Sequence, residues 1–173
     1  MVVNSNKYND AFTLVELLVS IAVIATIIGL ALPNFLGART RARDVRRKGE
    51  LNQVKTALQL FYNDYKRFPA AGNGGVGKLN YIAGCGSDAA TLCPAACSVD
   101  FAAGTTGCNT VYMTKFPGEL GSSMFYYQVN SGDDFCLKGS LENASDSEIA
   151  ASWSRCSTIC GSLTSTDYAV WSE

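Results

Sequence analysis

The chain has 173 residues, one domain's worth of polypeptide with room for an appendage, and its 47% hydrophobic and 17% charged residues exclude a disordered charged tail. A formal net charge of −1 gives no global field that would draw it to nucleic acid. There is no histidine, which excludes a Ser-His-Asp or Cys-His hydrolase and removes the commonest zinc ligand and pH switch.

Residues 1–11 (MVVNSNKYNDA) are short and mostly polar and read as a leader rather than as an element of a fold. Phe12 to Leu32 is nearly all apolar, broken only by Thr13, Glu16, Ser20, Thr26 and Gly29, and no charge occurs between Leu17 and Ala38. As a helix this stretch reaches roughly 32 Å, enough to cross a bilayer core of about 30 Å. The helical pattern runs on to Lys66. Within it Leu51, Val54, Leu58, Phe61 and Tyr65 form a narrow apolar stripe that needs a partner, and the sheet that follows is the natural one. A single helix from Phe12 to Lys66 measures roughly 80 Å, too long for a small globule, so its first half must leave the globule. Pro33 lacks an amide proton and clashes one turn back, which predicts a kink or local melting. Phe68-Pro69 and the loop AAGNGGVG end the helix.

Beyond residue 70 the texture changes to short strands and turns. Tyr81–Ala83 and Val111–Met113 are weak strand candidates. Phe125–Val129 and Asp134–Lys138 are stronger, joined through Asn130-Ser131-Gly132-Asp133 as a hairpin loop, and Tyr168–Trp171 is a last strand. The Cys-, Ala- and Gly-rich segment 84–110 reads as irregular. Charge is divided as well: residues 1–67 hold ten Lys/Arg and five Asp/Glu, and residues 68–173 hold four and ten.

Glu16 is a lone carboxylate near one end of a spanning helix, costly in lipid and in want of a cationic partner. Cleavage after Ala11 would free an α-amino group on Phe12. Along a helix that amine cannot easily reach its own Glu16, but it can reach the Glu16 of a neighbouring copy. Two blander readings compete. One is a secretory signal peptide with an apolar region at Leu17–Leu30 and small residues at Gly29 and Ala31, although Lys7 is offset by Asp10 and Glu16. The other is a plain single-pass anchor.

The polar leader, the small residue Ala11 and the run FTLVELLVSIAVIATIIGLALP resemble the type IV pilin and type II secretion pseudopilin family, and ARDVRRKGELNQVKTALQLFYNDYKRFP is similar to pilin-like chains. The resemblance covers residues 11–69. It implies a class III leader cut between Ala11 and Phe12 by a prepilin peptidase at the cytoplasmic face, and N-methylation of Phe12. It also implies filament assembly through Glu16 paired with a neighbour's terminus, and Pro33 as the helix-breaking proline. Ala11 departs from the family's usual Gly; a small residue fits the same subsite, with slower cutting expected.

Arg39, Arg41, Arg43, Arg46, Arg47 and Lys48 follow the apolar helix, with Asp44 among them. They read as a solvated collar at lipid headgroups, or as a surface facing acidic residues of neighbouring subunits. The positive-inside rule would put this run in the cytoplasm, whereas the resemblance puts it outside, and the cysteines favour outside.

All seven cysteines, Cys85, Cys93, Cys97, Cys108, Cys136, Cys156 and Cys160, lie after the helix. C-x₃-C spacings and the lack of histidine favour disulfides over zinc. An odd number leaves one thiol free or paired between chains, with about 105 possible connectivities. A bridge from Cys136 to Cys156 or Cys160, tying the C-terminal segment to the sheet, is what the resemblance suggests. Asp133-Asp134 could offer oxygens to calcium, since major pseudopilins hold a C-terminal calcium site, but these acids read better as hairpin residues. Asn143-Ala144-Ser145 fits a glycosylation sequon.

The expected fold is α+β and pilin-like, a long kinked N-terminal helix against an antiparallel sheet of three to five strands. Its parts are a leader (1–11), a transmembrane and filament-core half-helix (12–36), an amphipathic half-helix (37–68) and a Cys-rich β head (69–173). No catalytic residue, metal or other cofactor is expected. The resemblance implies self-association into a helical polymer, a prepilin peptidase, an assembly platform and its ATPase, and membrane lipid before assembly; no direct nucleic-acid contact is expected. It also implies an inner-membrane precursor with its head outside, then a surface filament for adhesion, motility or DNA uptake. The alternatives are the major pseudopilin of a periplasmic pseudopilus, or a tethered surface domain that never polymerises.

Overall fold

The computed structural model describes residues 12–70, 82, 84–86, 89, 91–93, 95–97, 99–104, 109–117, 124–129, 132–156, 160 and 163–172. The chain divides into two units, one ending at Arg39 and the other running from Thr40 to the C-terminus. Helix α1 (Leu14–Tyr65) passes from the first into the second. It is helical through residue 33 without a break, so the backbone does not melt at Pro33, whose side chain lies outside the described residues. It ends where Lys66 turns to φ 55°, a left-handed residue past the last turn, with the Lys66 amide still bonded to the Tyr62 carbonyl at 2.7 Å.

In the second unit the stripe read from the sequence is the buried face of the helix. Leu51, Val54, Leu58 and Phe61 are fully buried and Tyr65 packs at the margin. Opposite them lie Phe101, Tyr126, Phe135, Leu137 and Val170. Aromatic rings carry much of this core: Phe61 stacks on Tyr65 at 4.7 Å and on Phe101 at 5.5 Å, and Phe68 meets Tyr62 at 4.7 Å and Phe135 at 4.6 Å.

Among the described residues, three small antiparallel sheets complete the unit. Strands β1 (Gly84–Cys85) and β2 (Thr91–Leu92) pair, as do β3 (Phe101–Ala103) and β4 (Thr110–Met113). The main sheet has β6 (Asp134–Ser140) between β5 (Met124–Val129) and β7 (Asp167–Trp171), with Leu137 opposite both Tyr126 and Val170. Gly132, at φ 113°, turns the β5–β6 hairpin in a region closed to most side chains, and its carbonyl accepts the Phe68 amide at 2.7 Å.

Two sequence expectations need correction. Segment 84–110 is not simply irregular, since it holds β1, β2, a 3₁₀ turn (Ala95–Cys97) and the buried β3. Its strands are only two or three residues long, too short to show alternation. The second is helix α2 (Ser147–Cys156), which the sequence reading omitted. Asp146 caps it by accepting the Glu148 amide at 3.0 Å, and the buried Ser152 hydroxyl accepts the Ala169 amide of β7. Tyr81 and Ala83, part of one weak strand candidate, lie outside the described residues.

Candidate functional site

In the first unit, every large apolar side chain from Phe12 to Leu36 outside residues 33 and 34 is between 50% and 78% exposed. The helix is long and apolar enough to cross a membrane by length and composition. A continuous exposed apolar surface of this size is an interaction surface, for lipid or for protein.

Glu16 sits in the first turn. Thr13 precedes the helix, and its hydroxyl oxygen accepts the Glu16 amide at 3.2 Å while the hydroxyl donates to the Glu16 carboxylate at 3.4 Å. The carboxylate is exposed and has no cationic partner among the described residues. The T-x-x-E spacing is the signature of a helix N-terminal capping box, a signal available in the sequence but not read there. It gives Glu16 a structural duty inside its own chain as well as a free charge at the positive end of the helix dipole. Ala11, one side of the cleavage point expected from the sequence, lies outside the described residues; Phe12 lies within them.

The basic run is not a uniform collar. Arg43 forks onto Glu142, with Nε at 2.9 Å and Nη2 at 2.6 Å. Arg47 reaches Glu142 at 2.8 Å and Asp44 at 3.5 Å. Lys48 bonds Asp146 at 2.7 Å and Glu148 at 2.8 Å, and lies 5.3 Å from the Tyr168 ring. Arg46 pairs with Glu50 one turn along. At the centre Asp44, only 2% exposed, accepts the backbone amides of Glu142 and Asn143, both at 2.8 Å. Helix α1 and residues 142–148, a loop and the first turn of α2, thus form an ionic clasp within one chain. The acidic partners expected on neighbouring subunits are, for Arg43, Arg47 and Lys48, in the same chain. Arg39 and Arg41 are exposed and have no partner among the described residues.

The clasp sets its own titration. The Arg43 hydrogen bond holds the Glu142 carboxyl below its ordinary value, with Arg47 adding to it. The Lys48 hydrogen bond does the same for Asp146, helped by the Glu148 amide. Burial works against the Lys48 charge, but its bonds to Asp146 and Glu148 prevail and raise its pKa. Asn143 of the sequon belongs to the same loop, its carboxamide oxygen accepting the Ser145 amide at 3.2 Å.

Among the cysteines, Cys85 is bonded to Cys93 and Cys136 to Cys160. Cys97 is also disulfide-bonded, and Cys108 lies outside the described residues. Of the two partners considered for Cys136 the structure has Cys160, leaving Cys156 as a buried thiol. Asp133 and Asp134 line a cleft of about 480 Å³ with Gln59, Tyr62, Asn63, Phe68 and Ser172, and Asp134 accepts the Ser172 hydroxyl at 2.9 Å. The described residues bring two adjacent carboxylates there, one of them already bonded, which alone fall short of the six to eight oxygens calcium takes.

Comparison with known proteins covers part of the chain. The prokaryotic N-terminal methylation motif matches residues 6–32. A stretch of 63 residues, 36% of this chain, is 32% identical to the type IV major pilin protein PilA of Myxococcus xanthus. That alignment spans 29% of the relative, so the likeness covers less than a third of its length. No solved structure matches the chain.

Proposed function

We propose that the chain is a pilin-type structural subunit, made as a membrane precursor and polymerised through its N-terminal helix into a surface filament. The observation that carries this reading is an exposed apolar helix bearing one carboxylate, Glu16, within the methylation motif at residues 6–32. The precursor sits in the inner membrane with residues 1–11 in the cytoplasm and the head outside. A prepilin peptidase cuts between Ala11 and Phe12, and the Phe12 amine is methylated. That amine meets Glu16 of a neighbouring subunit, neutralising a charge that is costly in an apolar surrounding. The apolar helices then pass from lipid into the filament core and stay out of water throughout. An assembly platform and its ATPase supply the work. Pro33 bends the helix so that successive copies can pack.

Five disulfide-bonded cysteines among the described residues, Cys85, Cys93, Cys97, Cys136 and Cys160, support a head that lies outside the cytoplasm in an oxidising compartment. Mass spectrometry of the membrane-extracted protein tests the class: a chain starting at methylated Phe12 is expected, and one retaining Met1 overturns the reading. Glu16→Ala is expected to abolish incorporation into filaments while leaving the head folded. Filaments built normally from that variant would sink the assembly role.

A further inference from the structure

Three sulfurs meet at the junction of β6, α2 and the segment before β7. The Sγ atoms of Cys136, Cys156 and Cys160 all lie within 4.8 Å of one another, and all three residues are fully buried. They form a small apolar cluster of their own with Ala169, edged by Leu163 and Trp171. Two of them are joined as Cys136–Cys160, and the third is a thiol. A free thiol held against a disulfide is the arrangement thiol–disulfide exchange requires.

We infer that Cys156 makes this cluster an internal disulfide-exchange site, in which the covalent tie from β6 to the C-terminal segment shifts between Cys160 and Cys156. The Cys156 thiol gives its proton to solvent, and its thiolate attacks Sγ of Cys136. The Cys136–Cys156 bond forms as the Cys136–Cys160 bond breaks. Cys160 leaves as a thiolate and takes up a proton. One disulfide is made and one lost, so no oxidant or reductant is consumed. Strand β6 stays tied to the segment ahead of β7 in both isomers.

The surroundings set the pace. Burial pushes the Cys156 thiol up to about 11, against a smaller opposing pull from the Lys55 ammonium, so little thiolate is present near neutrality. Exchange is therefore slow in the folded head and faster while the head is still assembling and the cluster is wet. A subunit with this many cysteines gains from it: the two bridges interchange without an external isomerase while the head assembles, and both isomers persist once the cluster has dried and exchange has slowed. The inference is independent of filament assembly, because it concerns the head alone.

Thiol mapping of the full chain, extracted in detergent, tests it. Samples are quenched in denaturant with excess N-ethylmaleimide at mildly acidic pH, and peptides are mapped without reduction. In the wild type, label is expected on Cys160 as well as on Cys156; label on Cys156 alone of the three overturns the inference. In Cys160→Ser, loss of label from both Cys136 and Cys156 is expected, because they form the alternative bridge. Label on both, in a head whose circular dichroism is unchanged, overturns it. In Cys156→Ser, label should vanish from Cys160; if it persists there, another thiol drives the exchange and the assignment to Cys156 fails. The wild-type mapping stands even if either variant does not fold.

Discussion

Asp44 and Glu142 hold one another in two ways. The buried Asp44 carboxylate accepts the Glu142 backbone amide at 2.8 Å, while the Glu142 side chain turns back to bind Arg43 and Arg47 on either side of Asp44. One helical turn thus presents an acceptor flanked by two donors to a loop that presents the complementary pattern.

Removing the acceptor leaves the amides of Glu142 and Asn143 without a partner. Asp44→Ala is expected to cost roughly 3 kcal/mol of head stability, with Asp44→Asn, which keeps one good acceptor oxygen, costing less. Urea unfolding followed by tryptophan fluorescence measures both, and equal stability of the alanine variant and the wild type would refute the role given to Asp44.

Acid should loosen the clasp. Glu142 and Asp146 have folded values below their ordinary ones, so the stability they contribute is present above those ordinary values and is lost as pH falls through the depressed ones. Glu142→Gln combined with Asp146→Asn should lower stability near neutrality and flatten the acid limb. Asparagine retains the cap on α2, which keeps the comparison clean. Unfolding midpoints measured from neutral to strongly acidic pH decide the matter.

Phe61 packs against the rings of Tyr65, Phe101 and Tyr112. Phe61→Ala should cost roughly 3–5 kcal/mol, with Phe61→Leu milder. Thermal unfolding with and without the substitution reads the difference, and a loss under 1 kcal/mol, roughly what exposed positions show, would contradict the burial described.

At the other end of the helix, Thr13→Val removes the hydroxyl that caps Glu16. A loss of about 1 kcal/mol at the first turn is expected, with Thr13→Ser neutral. Amide hydrogen exchange at Glu16 in detergent should speed up in the valine variant alone.

What could be read from the sequence follows from how far apart the interacting residues lie. The stripe from Leu51 to Tyr65 repeats within a few residues, so its period announces a buried helix face. Tyr126 and Leu137 could be placed on paired strands because a short loop joins them. Asp44 gave no such signal: as one acid in a basic run it looked like a diluting charge, and its partners lie 98 and 99 residues further on. The same separation made Arg43, Arg47 and Lys48 look available to neighbouring molecules. Helix α2 was missed because its buried side rests on Ile149, Ser152 and Cys156, of which only the isoleucine is strongly apolar. The T-x-x-E of the helix start is a capping signal in its own right, but the same Glu16 carboxylate also stands out as a charge in an apolar helix, and the sequence does not separate the two roles.

The distance between Asp44 and its loop also imposes an order of events. A chain made from its N-terminus places the arginines and Lys48 in solution long before Glu142, Asp146 and Glu148 have been synthesised. The growing precursor is therefore strongly cationic just beyond its apolar segment and becomes nearly neutral there only when the last quarter arrives. Closing a loop of this length is slow compared with forming the helix itself. Neutralisation of this basic turn therefore has to wait for the C-terminal region that supplies Glu142, Asp146 and Glu148.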